Sequence, residues 1–273
     1  MNQVCYRHPD RETGVSCSSC GRPICPECMT PTPVGMRCPD CARQRTRVTR
    51  GAVGPGRYDA PATYVLIALN VAAYLAEIAG GSGGLSGTSG SVIRNFALQG
   101  NAVAEGEVYR LLTGGFLHAG LAHIGFNMFA LFILGRLLEP AIGTPRFVAL
   151  YFASLFAGSL GALALSGSAE YTVGASGAIF GLFGAAFVIA RGRRLDTVAS
   201  ELGFVLVINL ALTFGISGIS IGGHLGGLAG GLLCGLVIVA GERNMLGRNR
   251  LAVELLAMTI LGVLAIVAAI GIA

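Results

Sequence analysis

The chain has 273 residues, 53% of them hydrophobic and 12% charged, with a formal net charge of +5 and a mean hydropathy of +0.69. So apolar a composition excludes an ordinary soluble domain and points to an all-α polytopic membrane protein. The first 60 residues break the pattern, being polar, arginine-rich and home to seven of the eight cysteines. A small soluble head therefore precedes a membrane body. The first apolar run opens only near Ala62, so no cleavable leader is expected, and no nucleic-acid partner is expected either.

Residues 1–41 contain four candidate ligand pairs, Cys5 with His8, Cys17 with Cys20, Cys25 with Cys28 and Cys38 with Cys41, each separated by two residues. That gap lets both members of a pair reach one tetrahedral zinc ion, so four pairs complete two structural sites. Gly21, Arg22, Pro23 and Pro26 favour the tight turns such knuckles need. The rival reading is a disulfide framework with His8 incidental, which a head in the reducing cytoplasm disfavours. The pattern resembles a B-box or another cross-brace zinc finger. By that resemblance Cys5, His8, Cys25 and Cys28 share one ion and Cys17, Cys20, Cys38 and Cys41 the other, with consecutive pairing as the alternative. The head is a candidate dock for a cytoplasmic protein partner.

Residues 42–61 read as a linker with Arg43, Arg45, Arg47, Arg50 and Arg57. These arginines either lie on anionic lipid headgroups or serve only to set topology. Seven apolar spans follow, at about 62–79, 116–138, 147–166, 176–190, 201–218, 221–241 and 251–272. With the N-terminus inside, Arg136, Arg146, Arg191, Arg193, Arg194, Arg243, Arg248 and Arg250 fall at inside loops, and only Arg94 and Arg110 fall outside. This satisfies the positive-inside rule and places the C-terminus outside. The first outside connection starts with the flexible tract "GGSGGLSGTSGS", and its second half mixes apolar and polar residues as an interfacial structure would.

The fourth span is too short. From Ser176 to Arg191 a helix covers about 22 Å, against about 30 Å of hydrocarbon. With its inner end pinned by arginines, Ser176 lies below the outer face, reached by a dipping loop, and non-helical backbone at that depth requires protein or a water-filled cavity beside it. Intramembrane imidazoles mark function by default, and His118, His123 and His224 lie in the membrane part. His123 and Asn127 share a face of the second span, and His123 falls at about the depth of Ser176. His224 heads the sixth span, with Gly227 and Gly231 on its face, while Gly177, Gly181 and Gly184 line the fourth. Two glycine faces let helix axes approach closely, and such an approach can bring an imidazole to a serine hydroxyl as general base.

Three segments, "GASGAIFG" (174–181), "HAGLAHIGFNM" (118–128) and "GGHLGGLAGG" (222–231), resemble the GxSG, HxxxxHxxxN and HxxGxxxG signatures of the rhomboid intramembrane serine proteases. "GEVYRLLTGGF" (106–116) is similar to the first-loop motif of that family. The resemblance spans residues 62–241, a core of six spans; residues 242–273 then add a loop and a seventh span, as in the six-plus-one variants. It implies a rhomboid-like helical bundle with Ser176 as nucleophile and His224 as base, in a dyad needing no cofactor. His123, Asn127 and the Ser176 N–H would stabilise the oxyanion, with Gly174 keeping the loop close. Phe180 would pack on the catalytic imidazole where the family often has Tyr. Tyr109 and Arg110 stand where Trp-Arg is usual, Gly223 stands where Ala is usual, and His118 takes a structural position. Lateral substrate access would involve the fifth span.

The expectation is thus an intramembrane serine endopeptidase that cleaves single-span transmembrane proteins near the outer face of a bacterial plasma membrane. The alternatives are a proton- or metal-coupled transporter using its intramembrane histidines, and a catalytically silent client-binding relative. Intramembrane carboxylates beside the histidines would favour the first, and loss of Ser176 or His224 the second. Cys234 reads as a small buried side chain, and Glu77 and Glu254 as residues near span ends or paired within the bundle.

Overall fold

Two-residue gaps between ligand pairs leave the head little room for regular structure, and its elements are correspondingly short. A computed structural model describes residues 3–32, 35–43, 59–81, 90–247 and 249–273; most of the linker, part of the Gly/Ser tract and Arg248 lie outside them. In the unit that runs to Gly54, β1 (Gln3–Val4) pairs antiparallel with β2 (Glu12–Thr13), and β3 (Thr30–Thr32) with β4 (Gly35–Arg37). A 3-10 turn at Pro26–Cys28 and a short helix, α1 (Pro39–Arg43), complete it. Its buried cluster is Ile24 and six cysteines. Elements this small bury too little apolar surface to hold a fold on their own.

The second unit, from Pro55 onward, is helical. Its long helices are α2 (Pro61–Ala79), α6 (Leu121–Ile142), α7 (Thr144–Leu165), α9 (Asp196–Gly215), α10 (Ile221–Glu242) and α11 (Arg250–Ile272). These six are long and apolar enough to cross a membrane, and the seventh apolar helix, α8 (Ser176–Gly192), is shorter. Between α2 and α6 the chain forms α3 (Ser91–Phe96), α4 (Gly100–Ala104), α5 (Arg110–Thr113) and a 3-10 turn at Gly114–Phe116. The second span thus begins later than its hydropathy suggests, because Gly114–Phe116 and the loop to Gly120 belong to this first-loop structure.

Span α6 also runs past the charge expected to end it. Glu139 is buried and accepts from the N–H groups of Ala62 (3.0 Å) and Thr63 (2.9 Å) and from the hydroxyls of Thr63 and Thr144 (both 2.8 Å). The carboxylate caps the N-terminus of α2, where free N–H groups attract negative charge. Glu139→Ala is expected to cost about 2–3 kcal/mol by stranding those donors. A lower thermal unfolding midpoint in detergent, with Glu139→Gln intermediate, is the measurement that checks it.

Helix α10 sits at the centre, packed against α7 and α8, and eleven of its residues are buried, seven of them glycine. A Cβ on Gly227 would collide with the Gly177 carbonyl, and one on Gly231 with the Gly181 backbone. The glycine faces read from the sequence therefore touch. Helix α11 packs on α7 and is tied to it by Glu254, buried between Arg146 and Arg250. Helix α9 is the most peripheral: only Ala199 and Thr213 are buried.

Candidate active site and metal clusters

Alternating helix directions bring the start of α6, α8 and α10 and the end of α7 and α9 to one end of the bundle. A cavity of about 950 Å³ opens there, lined among others by His123, Asn127, Gly174, Ser176, Phe180 and His224. The loop before α8 is held by the first-loop structure. Leu98 and Thr172 exchange backbone hydrogen bonds (3.1 and 2.8 Å), and the Gly174 N–H donates to Gly114 O at 2.9 Å. The first loop is braced in turn: Arg110 Nη1 donates to Ala97 O at 2.8 Å, Thr113 Oγ1 to Phe96 O at 2.6 Å, and Ser159 Oγ to Leu111 O at 2.7 Å. Arg110 is also paired with Glu107, whose carboxyl it holds below the usual carboxylate range. Tyr109 is exposed, its hydroxyl donating to Asn95 O or to Glu107 Oε2.

Gly174 has φ +128°, and a Cβ there would lie 2.8 Å from His123 Cε1 and Nε2 and 3.6 Å from Ser176 Oγ. Only a glycine lets the imidazole edge approach the loop. The Ala119 N–H donates to His123 Nδ1 at 3.2 Å, so that nitrogen is an acceptor and Nε2 carries the proton. A donor therefore points into the space beside Ser176. Asn127 Nδ2 donates to His123 O at 2.9 Å, which spends one of its two N–H groups and leaves the second. Ser176 is half-buried at the head of α8.

His224 is buried, and its ring stacks on Phe180 at 4.0 Å and 21°. Its Nδ1 lies 2.7 Å from Thr213 Oγ1. No hydrogen bond joins Ser176 Oγ to either imidazole among the described residues; the two groups share the cavity across the contact of α8 with α10. His118 is buried beside His123 at 5.1 Å between ring centroids, with Nδ1 3.2 Å from Phe116 O and its backbone N–H donated to Glu77. It packs the loop and stays out of the cavity lining.

Residues 105–241 match the Rhomboid domain family. The chain belongs to the rhomboid family. It is 35% identical to the rhomboid protease GluP of Bacillus subtilis over 208 residues, 74% of this chain and 39% of that protein. It is 36% identical to YdcA of the same organism over 141 residues, 50% of this chain and 70% of the relative. The rhomboid-like protease 1 of Toxoplasma gondii is 37% identical over 147 residues, 47% of its length. The chain thus spans well under two thirds of GluP and of the Toxoplasma protein. Within this rhomboid, the sequence reading missed Thr213 and the capping Glu139. Asn209 and Thr213, four apart in an otherwise apolar span, were the available signal for the first.

The cysteines of the head form two interleaved sets, Cys5, His8, Cys25 and Cys28, and Cys17, Cys20, Cys38 and Cys41, each with its ligand atoms within 4.8 Å of one another. No disulfide joins any cysteine. His8 Nδ1 lies 3.3 Å from Cys25 Sγ and 3.5 Å from Cys28 Sγ, and Cys20 and Cys38 are 3.8 Å apart. Those separations match the edge of a tetrahedron with zinc–sulfur bonds of about 2.3 Å and exceed an S–S bond of about 2.05 Å. The Cys38 N–H, donating at 3.2 Å, holds the Cys17 thiol down to about 6. Burial and the neighbouring Cys5 and Cys25 sulfurs push Cys28 up to about 11. Thiols so crowded cannot all ionise without a shared cation.

Proposed function

We propose that this rhomboid is an intramembrane serine endopeptidase in which Ser176 is the nucleophile and His224 the general base. The observation that carries the reading is one cavity holding a serine, a stacked imidazole from the neighbouring helix and a donor imidazole beyond them. In the first step the Ser176 Oγ–H proton passes to His224 Nε2 while Oγ bonds to the scissile carbonyl carbon. The carbonyl oxygen takes the negative charge and meets His123 Nε2–H, the free Asn127 N–H and the Ser176 N–H. The imidazolium then gives its proton to the departing amide nitrogen, leaving an acyl-enzyme. Water, deprotonated by the same nitrogen, frees the acid and restores Ser176. His224 therefore carries a proton in one direction and then the other, as a two-residue site requires.

The substrate class is a single-span membrane protein whose helix unwinds to expose one carbonyl, entering past α9. The loops bearing most of the arginines lie at the opposite end of the bundle from the cavity, which supports an inside N-terminus, an outside C-terminus and cleavage near the outer face. A bacterial plasma membrane fits the relatives from Bacillus. The two sets of four ligands in the head would each hold a structural zinc, which would supply rigidity to a unit without a core of its own; a cytoplasmic partner for that head, and residues 1–41, 42–61, 62–241 and 242–273 as its working divisions, complete the reading.

The test is covalent labelling of purified protein by a fluorophosphonate, together with cleavage of a reporter single-span substrate in liposomes. Labelling at Ser176 and cleavage that depends on it support the reading, and a wild type that does neither overturns it. Gly174→Ala is expected to lower kcat about 10²-fold, since its Cβ displaces the His123 donor and strains the loop; steady-state kinetics on the same reporter check this.

A further inference from the structure

Transfer of the Ser176 proton requires a bare nitrogen on His224, and neutral imidazole has one bare and one protonated nitrogen. Stacking on Phe180 fixes the plane of the ring, yet a half-turn about its Cβ–Cγ bond preserves that plane while exchanging the two edges. Something else has to select the edge and the tautomer.

Thr213 Oγ1 makes two contacts, to His224 Nδ1 at 2.7 Å and to the backbone carbonyl of Asn209, one turn earlier in α9, at 2.8 Å. A hydroxyl has one proton, and a carbonyl oxygen can only accept. The proton of Thr213 is therefore committed to Asn209 O, and a lone pair faces His224. The nitrogen opposite must donate. We infer that Thr213 is a positioning residue that locks His224 in its Nδ1–H tautomer, leaving Nε2 bare toward Ser176.

The surroundings agree with this role. Thr213 and His224 are both buried, 2% and 7% exposed, so water does not compete for the bond. Thr213 is one of two buried residues on α9, and the rest of that helix is half-buried or exposed. The same cavity shows the opposite arrangement at His123, where the Ala119 N–H claims Nδ1 and leaves the proton on Nε2. Two imidazoles thus face one serine, one as donor and one as acceptor, each set by a single contact at its far nitrogen. A threonine does for orientation what a carboxylate does in a triad, but it brings no charge to stabilise imidazolium. The bond also arises from the least anchored helix of the bundle, so the geometry of the base depends on where α9 sits.

This inference rests on the protease reading, and its test separates the two. Thr213→Val keeps the shape and removes the acceptor; Thr213→Ser keeps the acceptor. The first is expected to lower kcat about tenfold with KM unchanged, as loss of one neutral hydrogen bond selecting between tautomers allows, and the second to stay within about twofold of wild type. ¹⁵N-histidine spectra, with the His224 signals assigned by their loss in His224→Ala, should show the Nδ1–H form in wild type and a mixture of tautomers in Thr213→Val. Wild-type His224 in the Nε2–H form, or a Thr213→Val kcat equal to wild type, overturns the inference while leaving the protease reading intact. A wild type without Ser176-dependent labelling or cleavage overturns the protease reading and the assignment of a base along with it.

Discussion

Alanine at Ser176 and alanine at His224 should each lower cleavage of the reporter substrate by about 10⁴-fold or more, and the double variant should be no slower than either one. The non-additivity is the informative part. A nucleophile and the base that activates it form one unit, so removing the base leaves an unactivated hydroxyl, and removing the hydroxyl leaves a base with no proton to take. Losses that multiplied in the double variant would show that the two side chains act independently and would defeat the assignment. Folding is controlled in the same samples. Ser176 is half-buried at a helix head, so its loss should leave the unfolding midpoint near that of wild type. His224→Ala opens a void against Phe180 and should lower the midpoint modestly, so His224→Asn serves as a second, better-filled variant with the same loss of turnover.

The elements of this site were legible to different degrees, for physical reasons. Glycine spacing on the fourth and sixth spans predicted a close approach because only glycine permits backbone contact, and Gly227 and Gly231 do meet Gly177 and Gly181. The shortness of the helix from Ser176 predicted a polar recess, and a cavity lies there. Span ends were less legible, since hydropathy treats a charge as a terminus. Glu139 instead stays buried within α6, because the free N–H groups of α2 neutralise the cost of its burial. Thr213 was harder to read for a related reason. A threonine in an apolar span ordinarily bonds back to its own helix, as this one does, and only the folded chain reveals that its remaining lone pair meets an imidazole on α10. Polar residues in membrane helices are therefore best read with both their local partner and the valence left over.

Removing all metal from the head is expected to unfold it, with bound zinc falling from two ions per chain to none. The buried cluster there is Ile24 and six cysteines, and the strands are two or three residues long. Structural zinc contributes about 10–16 kcal/mol of apparent binding free energy at pH 7, far more than so small a core can supply. Protease resistance of residues 3–43 before and after a strong chelator measures the loss; a head equally resistant without metal would refute the dependence. Paired substitutions probe the arrangement. Cys5→Ser with Cys28→Ser removes two ligands of a single set in the interleaved arrangement, and should cost one ion per chain while the set containing Cys17 and Cys41 keeps the other. If ligand pairs were used consecutively, Cys5 and Cys28 would belong to different ions, and the same double variant would lose both. Metal content by mass spectrometry of the intact chain decides between them, because the two arrangements use the same eight ligands and differ only in which of them fail together.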